Sequence, residues 1–153
     1  MAVCRELWSA DEPKFAGKYI HFDEVVFRPK PNQSPIPIWV GGESGPALRR
    51  TARYANCWYP LSTNPKFPLN TVSRFKAGLE RLRVYCEKGS RDPKEVAVAL
   101  RVALGPGTRQ RTTIEGEPDM FSGGESDWVG DFHELQALRG QCRRCSAVRL
   151  HAQ

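Results

Sequence analysis

The chain has 153 residues, of which 40% are hydrophobic and 26% are charged, as is ordinary for a globular protein. No apolar run has the length of a membrane span, and the N-terminus lacks the apolar core of a signal peptide, so neither is predicted. Five cysteines at scattered spacing favour reduced thiols and a cytoplasmic location over a disulfide scaffold. The net charge of +6 favours anionic partners, such as phosphorylated cofactors or nucleic acid.

The first 34 residues predict little regular structure. Residues 2–9 are typical of the last turns of a helix, and a helix that begins so early suggests that further chain precedes it. Residues 15–22 and 25–27 predict two short extended pieces, and four prolines between residues 29 and 37 predict a stiff, irregular connection. We interpret residues 1–34 as the end of a helix followed by an extended insertion on top of a scaffold.

The stretch around which the chain is organised begins at residue 35. Residues 35–40 are apolar without interruption, which predicts a strand buried on both faces, as in a parallel sheet. Gly41 and Gly42 then allow a sharp turn or a close approach by a ligand. Ser44 or Gly45 can cap the helix that follows. Unpaired N–H groups converge in such a turn, so it can form an anion site.

Two interpretations of this turn stay open at this point. Strand–turn–helix units occur in every α/β protein, and glycines there often serve only the turn. The spacing G-G-x-x-G also departs from the dinucleotide fingerprint G-x-G-x-x-G.

Helical and extended segments alternate after the turn. Residues 46–55 predict a helix with Arg49, Arg50 and Arg53 outside its apolar face, and residues 57–60 predict a short buried strand. A proline-rich loop over residues 60–68 is of the kind that often covers a site. Residues 72–88 predict an amphipathic helix that ends at Gly89, in the same hydrophobic layer as Trp39.

Residues 96–104 predict a strand with strictly alternating side chains. Large aliphatic residues share one face, and alanines with Arg101 share the other. In a barrel, Arg101 would project near the C-terminal strand ends, where barrel sites lie. The alternatives are a helix with Arg101 in solvent, or a strand-end arginine that pairs with a carboxylate.

The remaining residues predict a polar loop over 105–118, a last helix capped by Ser126 or Asp127, and a strand at 147–150. The apolar stripe of that helix has five members: Trp128, Val129, Phe132, Leu135 and Leu138. The order of strands and helices predicts a parallel sheet or barrel. Cys142 and Cys145 could ligate zinc, but only His151 lies nearby, so no metal site is predicted.

Seven marks, in order along the chain, carry a family resemblance: Glu6-Leu7-Trp8, Phe15-x-Gly17-Lys18-Tyr19, Phe27-Arg28-Pro29-Lys30-Pro31, Pro37-Ile38-Trp39-Val40-Gly41-Gly42, Leu48-Arg49-Arg50-x-Ala52-Arg53, Trp58 and Gly89-x-Arg91-Asp92-Pro93. Over roughly residues 3–130 the chain resembles the luciferase-like monooxygenases, which are (β/α)8 barrels of the TIM type. It looks most like the branch that uses the deazaflavin coenzyme F-420.

The resemblance implies that this α/β chain is the C-terminal half of such a barrel. It would be a single partial domain, with core units over 35–104 and a divergent tail over 105–153. The stretch around Trp39 would be the fifth strand, Trp58 would mark the sixth, and residues 95–104 the seventh. The first four strands, with much of the family's cofactor and substrate pocket, would be missing.

The resemblance also implies a function, namely a flavin- or deazaflavin-dependent oxidoreductase or monooxygenase, inactive as a fragment. Its cofactor would be F-420, with FMN as the alternative. The expected cofactor-binding residues are Gly41, Gly42, Glu43, Ser44, Gly45 and Arg101. No catalytic side chain is assigned. Glu43 is awkward beside a phosphate, so we expect it to turn outward, contact a sugar-like hydroxyl or accept from a neighbouring N–H.

Three departures from the family's pattern bear on this expectation. Asn56-Cys57 stands where the family usually has Asp-Gly, and Ala47 stands where a threonine can contact phosphate. The tail at 139–145 is also unlike the usual apolar approach to the last strand, which a frameshift would explain. Open edge strands predict a homo-oligomer. The alternative function is a non-catalytic basic module that contacts nucleic acid or another anion.

Overall fold

The computed structural model describes residues 1–104, 111–138 and 149–152, with only the backbone of 103, 104 and 149–152. The chain forms two compact units, Met1–Pro37 and Ile38–Gln153. The predicted strand residues 147–148, the pair Cys142 and Cys145, and residues 105–110 of the predicted loop 105–118 lie outside the described residues.

The first unit contains one helix and one small hairpin. Helix α1 spans Ala2–Ser9, as predicted, and strands β1 (Phe15–Ala16) and β2 (His21–Phe22) pair antiparallel. The first extended piece predicted over 15–22 is therefore folded back on itself. Gly17 makes the turn possible, because a Cβ there would lie 2.6 Å from the Phe15 ring and its N–H donates to Ile20. Residues 25–27 are not a strand, contrary to the prediction.

The second unit is an α/β layer whose elements largely follow the predicted order. Its elements are β3 (Trp39–Gly41), α2 (Gly45–Tyr54), β4 (Cys57–Tyr59), α3 (Val72–Lys88), a short 3₁₀ helix (Pro93–Glu95), β5 (Ala97–Val98), β6 (Arg101–Leu104), α4 (Glu125–Ala137) and β7 (Arg149–Ala152). Strands β3, β4 and β5 form a parallel sheet in that order, and β6 pairs in parallel with β7.

The central strand is shorter and more open than predicted. Residues 35–38 are not part of it, because Pro35 and Pro37 have no N–H to donate to a ladder. Burial on both faces is also wrong, since Trp39 is 51% exposed and Gly41 is exposed. Trp39 therefore lies outside the hydrophobic layer of α3, contrary to the prediction.

Helices α2 and α3 form as the sequence predicts, because their ends are marked locally. Ser44 caps α2, Thr71 caps α3, and Gly89 ends α3. Arg49, Arg50 and Arg53 are exposed, as predicted.

The hydrophobic core lies between the sheet and these helices. Trp58 is 1% exposed and stacks on Phe75 of α3, with ring centroids 6.3 Å apart. The helix can approach because Gly78 has no side chain, and a Cβ there would lie 3.1 Å from the Trp58 ring. The other buried members include Leu48, Leu69, Leu79, Leu82, Cys86, Val96, Val98, Leu100 and Val102.

The strand predicted over 96–104 is interrupted at Ala99 and Leu100, which separate β5 from β6. The chain nevertheless continues alongside β4 through this interruption. Ala99 N–H donates to Trp58 O and Arg101 N–H donates to Pro60 O, both at 2.9 Å. The predicted alternation is confirmed over residues 96–102, whose large aliphatic members are all buried.

The N-cap of the last helix lies two residues before Ser126 and three before Asp127, the two predicted caps. Gly124 is the N-cap of α4, and Asp127 acts at the third helical position, where its carboxylate accepts the Gly124 N–H at 2.8 Å. Leu135 is buried and most of the predicted stripe packs against the core. Val129 is 47% exposed and does not belong to the stripe.

Candidate functional site

The candidate site is the turn between β3 and α2. Parallel strands end at the same edge of a sheet, so this turn lies at the edge where β4 also ends. Gly42 has φ +97°, a region that glycine adopts without strain. A Cβ at Gly42 would also lie 3.0 Å from that of Ala47 in the first turn of α2. Both facts require a glycine here for structural reasons alone. They are equally compatible with a turn that also binds a ligand.

The turn presents backbone donors at the start of α2. Ser44 Oγ accepts the Ala47 N–H at 3.4 Å, and Pro46 has no N–H. Among the described residues, the N–H groups of Glu43, Ser44 and Gly45 make no hydrogen bond. The positive end of the helix dipole adds to these donors. The Ser44 hydroxyl can still donate, because accepting one bond leaves its proton available.

Trp58 of β4 donates a hydrogen bond to the turn, and the sequence did not predict this contact. Its indole Nε1 donates to Gly42 O at 2.9 Å. A buried tryptophan N–H usually finds an acceptor, so a tryptophan in the strand next to a glycine turn is the signal that could have indicated this bond.

Glu43 lies inside the protein and is 3% exposed. Its Oε1 accepts the Leu61 N–H at 2.7 Å, and its Oε2 accepts from the Asn64 side-chain amide. The third expectation for Glu43, acceptance from a neighbouring N–H, is therefore the one observed. The carboxylate fastens the loop after β4 to the turn. Nothing in the local sequence indicates Asn64 as its partner.

Arg101 lies at the same edge of the strands as the turn. It forms a parallel bridge with Leu61, whose N–H is bound by Glu43. Its side chain is exposed. The five turn residues, 41–45, are thus brought together, and Arg101 is joined to them through Leu61, with no hydrogen bond between Arg101 and the turn among the described residues.

The described residues contain no cluster of His, Cys, Asp or Glu that could hold a metal ion. Cys4, Cys57 and Cys86 form no disulfide in the part of the chain that the structure describes. Burial raises the pKa of the Cys86 thiol, which makes it a poor nucleophile. None of the helices that the structure describes is long and apolar enough to cross a membrane.

The chain resembles several known proteins over part of their length. An uncharacterised protein of Mycobacterium tuberculosis is 35% identical over 96 residues, which cover 63% of this chain and 31% of that protein. The pyrimidine monooxygenase RutA of Methylobacterium radiotolerans is 31% identical over 80 residues, 52% of this chain and 20% of RutA. The chain thus spans less than a third of these curated relatives.

A solved structure supports the fold. The F420-dependent secondary alcohol dehydrogenase, determined with an F420-acetone adduct, superposes with a TM-score of 0.67 at 12% identity, over 97% of this chain and 52% of that one. At this identity the likeness concerns the α/β fold alone. The family model of the luciferase-like monooxygenases matches the sequence over residues 1–111, which is more than two thirds of the chain. The chain therefore belongs to the luciferase-like monooxygenase family.

Proposed function

We propose that the chain is the C-terminal half of a barrel oxidoreductase that uses F-420, with FMN as the alternative. The β3–α2 turn would be the seat of the cofactor phosphate. The observation that carries this proposal is the set of unpaired N–H groups at Glu43, Ser44 and Gly45, at the start of a helix. Membership of a family with oxidoreductase and monooxygenase relatives supports it. The comparisons give no support to the alternative of a nucleic-acid-binding module.

The Glu43 carboxylate does not prevent the turn from binding a phosphate. This carboxylate points into the protein, and two donors from the following loop neutralise part of its charge. Ser44 and Gly45 are half-buried and Gly41 beside them is exposed, so an anion can approach the N–H groups of Ser44 and Gly45. The bound cofactor would carry the redox chemistry, and the chain would hold and orient it. Arg101, exposed at the same edge, would add a positive charge.

A half-barrel would hold the cofactor weakly, because the other half of the pocket is missing. The chain spans 52% of the solved neighbour, as a half-barrel requires. We expect the missing half to be supplied by preceding chain or by a second copy, and the substrate to be a small molecule. On this proposal the chain alone has little or no turnover.

The test is a titration of F-420 and FMN followed by NMR amide shifts, which detect weak binding. Shifts confined to residues 41–45 are expected, and Gly42→Val should abolish them. Gly116→Val is the matched control, because Gly116 also has a positive φ, of +84°, but nothing lies within 4 Å of its Cβ position. Shifts elsewhere, or unchanged binding in Gly42→Val, would overturn the proposal.

A further inference from the structure

A concave surface lies between helices α2 and α3. This α2–α3 groove has a volume of about 810 Å³, within the range of about 300–1,000 Å³ typical of small-molecule sites. Half of its ten lining residues are cationic, and none is acidic: the cations are Arg49, Arg50, Arg53, Lys88 and Arg91.

Three of these cations have a structural explanation. Arg91 donates to the carbonyls of Ala52 and Ala55 at 2.9 and 2.8 Å, and its Nε lies 3.3 Å from Glu95. Arg53 and Lys88 lie in the last turns of α2 and α3, where the helix dipole favours positive charge.

Arg49 and Arg50 have no such explanation, since both lie in the middle of α2. Within the described part of the chain, Arg49, Arg50, Arg53 and Lys88 form no ion pair with a carboxylate. Four uncompensated charges around one concavity repel one another. An anion in the groove would relieve that repulsion.

Two of the guanidinium groups lie over aromatic rings. Arg49 lies over the Tyr85 ring, 5.7 Å from its centroid, and Arg53 lies over the Tyr54 ring at 5.0 Å. Such a cation–π contact favours the guanidinium beside the ring and does not use its N–H donors. These donors suit the oxygens of a phosphate, which arginine binds through paired hydrogen bonds.

We propose that the α2–α3 groove binds a small ligand with two or more linked phosphates. One phosphate would meet Arg49 and Arg50, and another would meet Arg53 and Lys88. Arg91 keeps its hydrogen bonds to the carbonyls at the end of α2 and contributes only its charge to the groove. This inference does not depend on the function proposed for the β3–α2 turn.

The probe is inorganic tripolyphosphate, titrated into the 153-residue chain at low salt by calorimetry. The double variant Arg49→Gln/Arg50→Gln should bind it roughly tenfold more weakly, because hydrogen bonds from charged donors are lost. Both side chains are exposed, so the fold should survive, which circular dichroism checks. Arg50→Lys keeps the charge and should retain most of the affinity.

Arg81→Gln is the matched control, because Arg81 is an exposed cation of α3 that does not line the groove. Its binding should equal that of the parent. Four outcomes would overturn the proposal. These are no binding by the parent, unchanged binding in Arg49→Gln/Arg50→Gln, an equal loss in Arg81→Gln, or a preference for a polyglutamate peptide over tripolyphosphate.

Discussion

The two faces of the parallel strands in the second unit differ sharply. On the helix side, Trp58, Val98, Leu100 and Val102 are buried in one continuous core. On the opposite side, Trp39 is half exposed, and Gly41 and Arg101 are exposed. Trp39 and Tyr59 contact each other there, with ring centroids 5.6 Å apart.

This difference separates a packed face from an open one. The helix side forms one cluster of buried side chains, so it should contribute most of the stability. The opposite side has an exposed indole and an exposed glycine on the edge strand β3, which leaves apolar surface uncovered. Stability should therefore depend mainly on the first face.

The sharpest test of the comparison replaces one tryptophan on each face. Trp58→Ala should lower the free energy of unfolding by about 3–5 kcal/mol, because it removes a fully buried ring and leaves the Gly42 carbonyl without its donor. Trp39→Ala, its matched control, should lower it by only about 0.5–1.5 kcal/mol, because it loses the ring contact with Tyr59. Urea melts measure both. Equal losses in the two variants would contradict the difference between the faces.

A second substitution tests the helix side at a distance from the site. Leu82 of α3 is buried in the core, so Leu82→Ala should cost about 2–5 kcal/mol of stability. The exposed Val129 of α4 offers a comparison, and Val129→Ala should be close to neutral. If chemical denaturation found Leu82→Ala as stable as the parent, α3 would not be part of the core.

The carboxylate of Glu43 links the turn to the loop after β4. Glu43→Gln keeps the shape but replaces one acceptor by an NH2 group, which cannot satisfy both Leu61 and Asn64. We expect a loss of about 1–3 kcal/mol in urea melts, together with faster amide exchange at Leu61. Unchanged exchange at Leu61 would show that the carboxylate does not hold the loop. Cofactor binding should be intact or tighter, because a negative charge is removed.

The smallest effect concerns Asp131 of α4. Burial raises the pKa of this carboxyl, and Glu134 and Asp127 add to the effect, although the Phe121 N–H, bound at 2.6 Å, opposes it. Since the folded-state pKa is raised, Asp131 supports folding below its unfolded pKa of about 3.9 and loses that contribution as pH rises through the folded value. Asp131→Asn keeps the acceptor for Phe121, so it should be slightly more stable than the parent at neutral pH. The difference should shrink in melts at acid pH, and a less stable variant at neutral pH would contradict it.

The helices were predictable because their signals are local. Ser44, Thr71 and Gly89 mark helix ends within a few residues, and apolar spacing marks the buried side. The openness of Trp39 was not predictable, since an apolar run does not reveal whether both of its faces are covered. The partners of Glu43 were also beyond the pattern, because they lie 18 and 21 residues further along the chain. The five turn residues, 41–45, are contiguous in the sequence, so they could be assigned to one site without knowledge of the fold.

The contacts of Arg91 make α2 depend on a segment that is formed much later in the sequence. Its guanidinium closes the last turn of α2 from 36 to 40 residues away. When α2 opens locally, those carbonyls lose their donor, and the chain after α3 loses its anchor as well. Fluctuations at the C-terminal end of α2 and in the loop after α3 are therefore coupled, so amide protons in the last turn of α2 and around Arg91 should exchange as one cooperative unit.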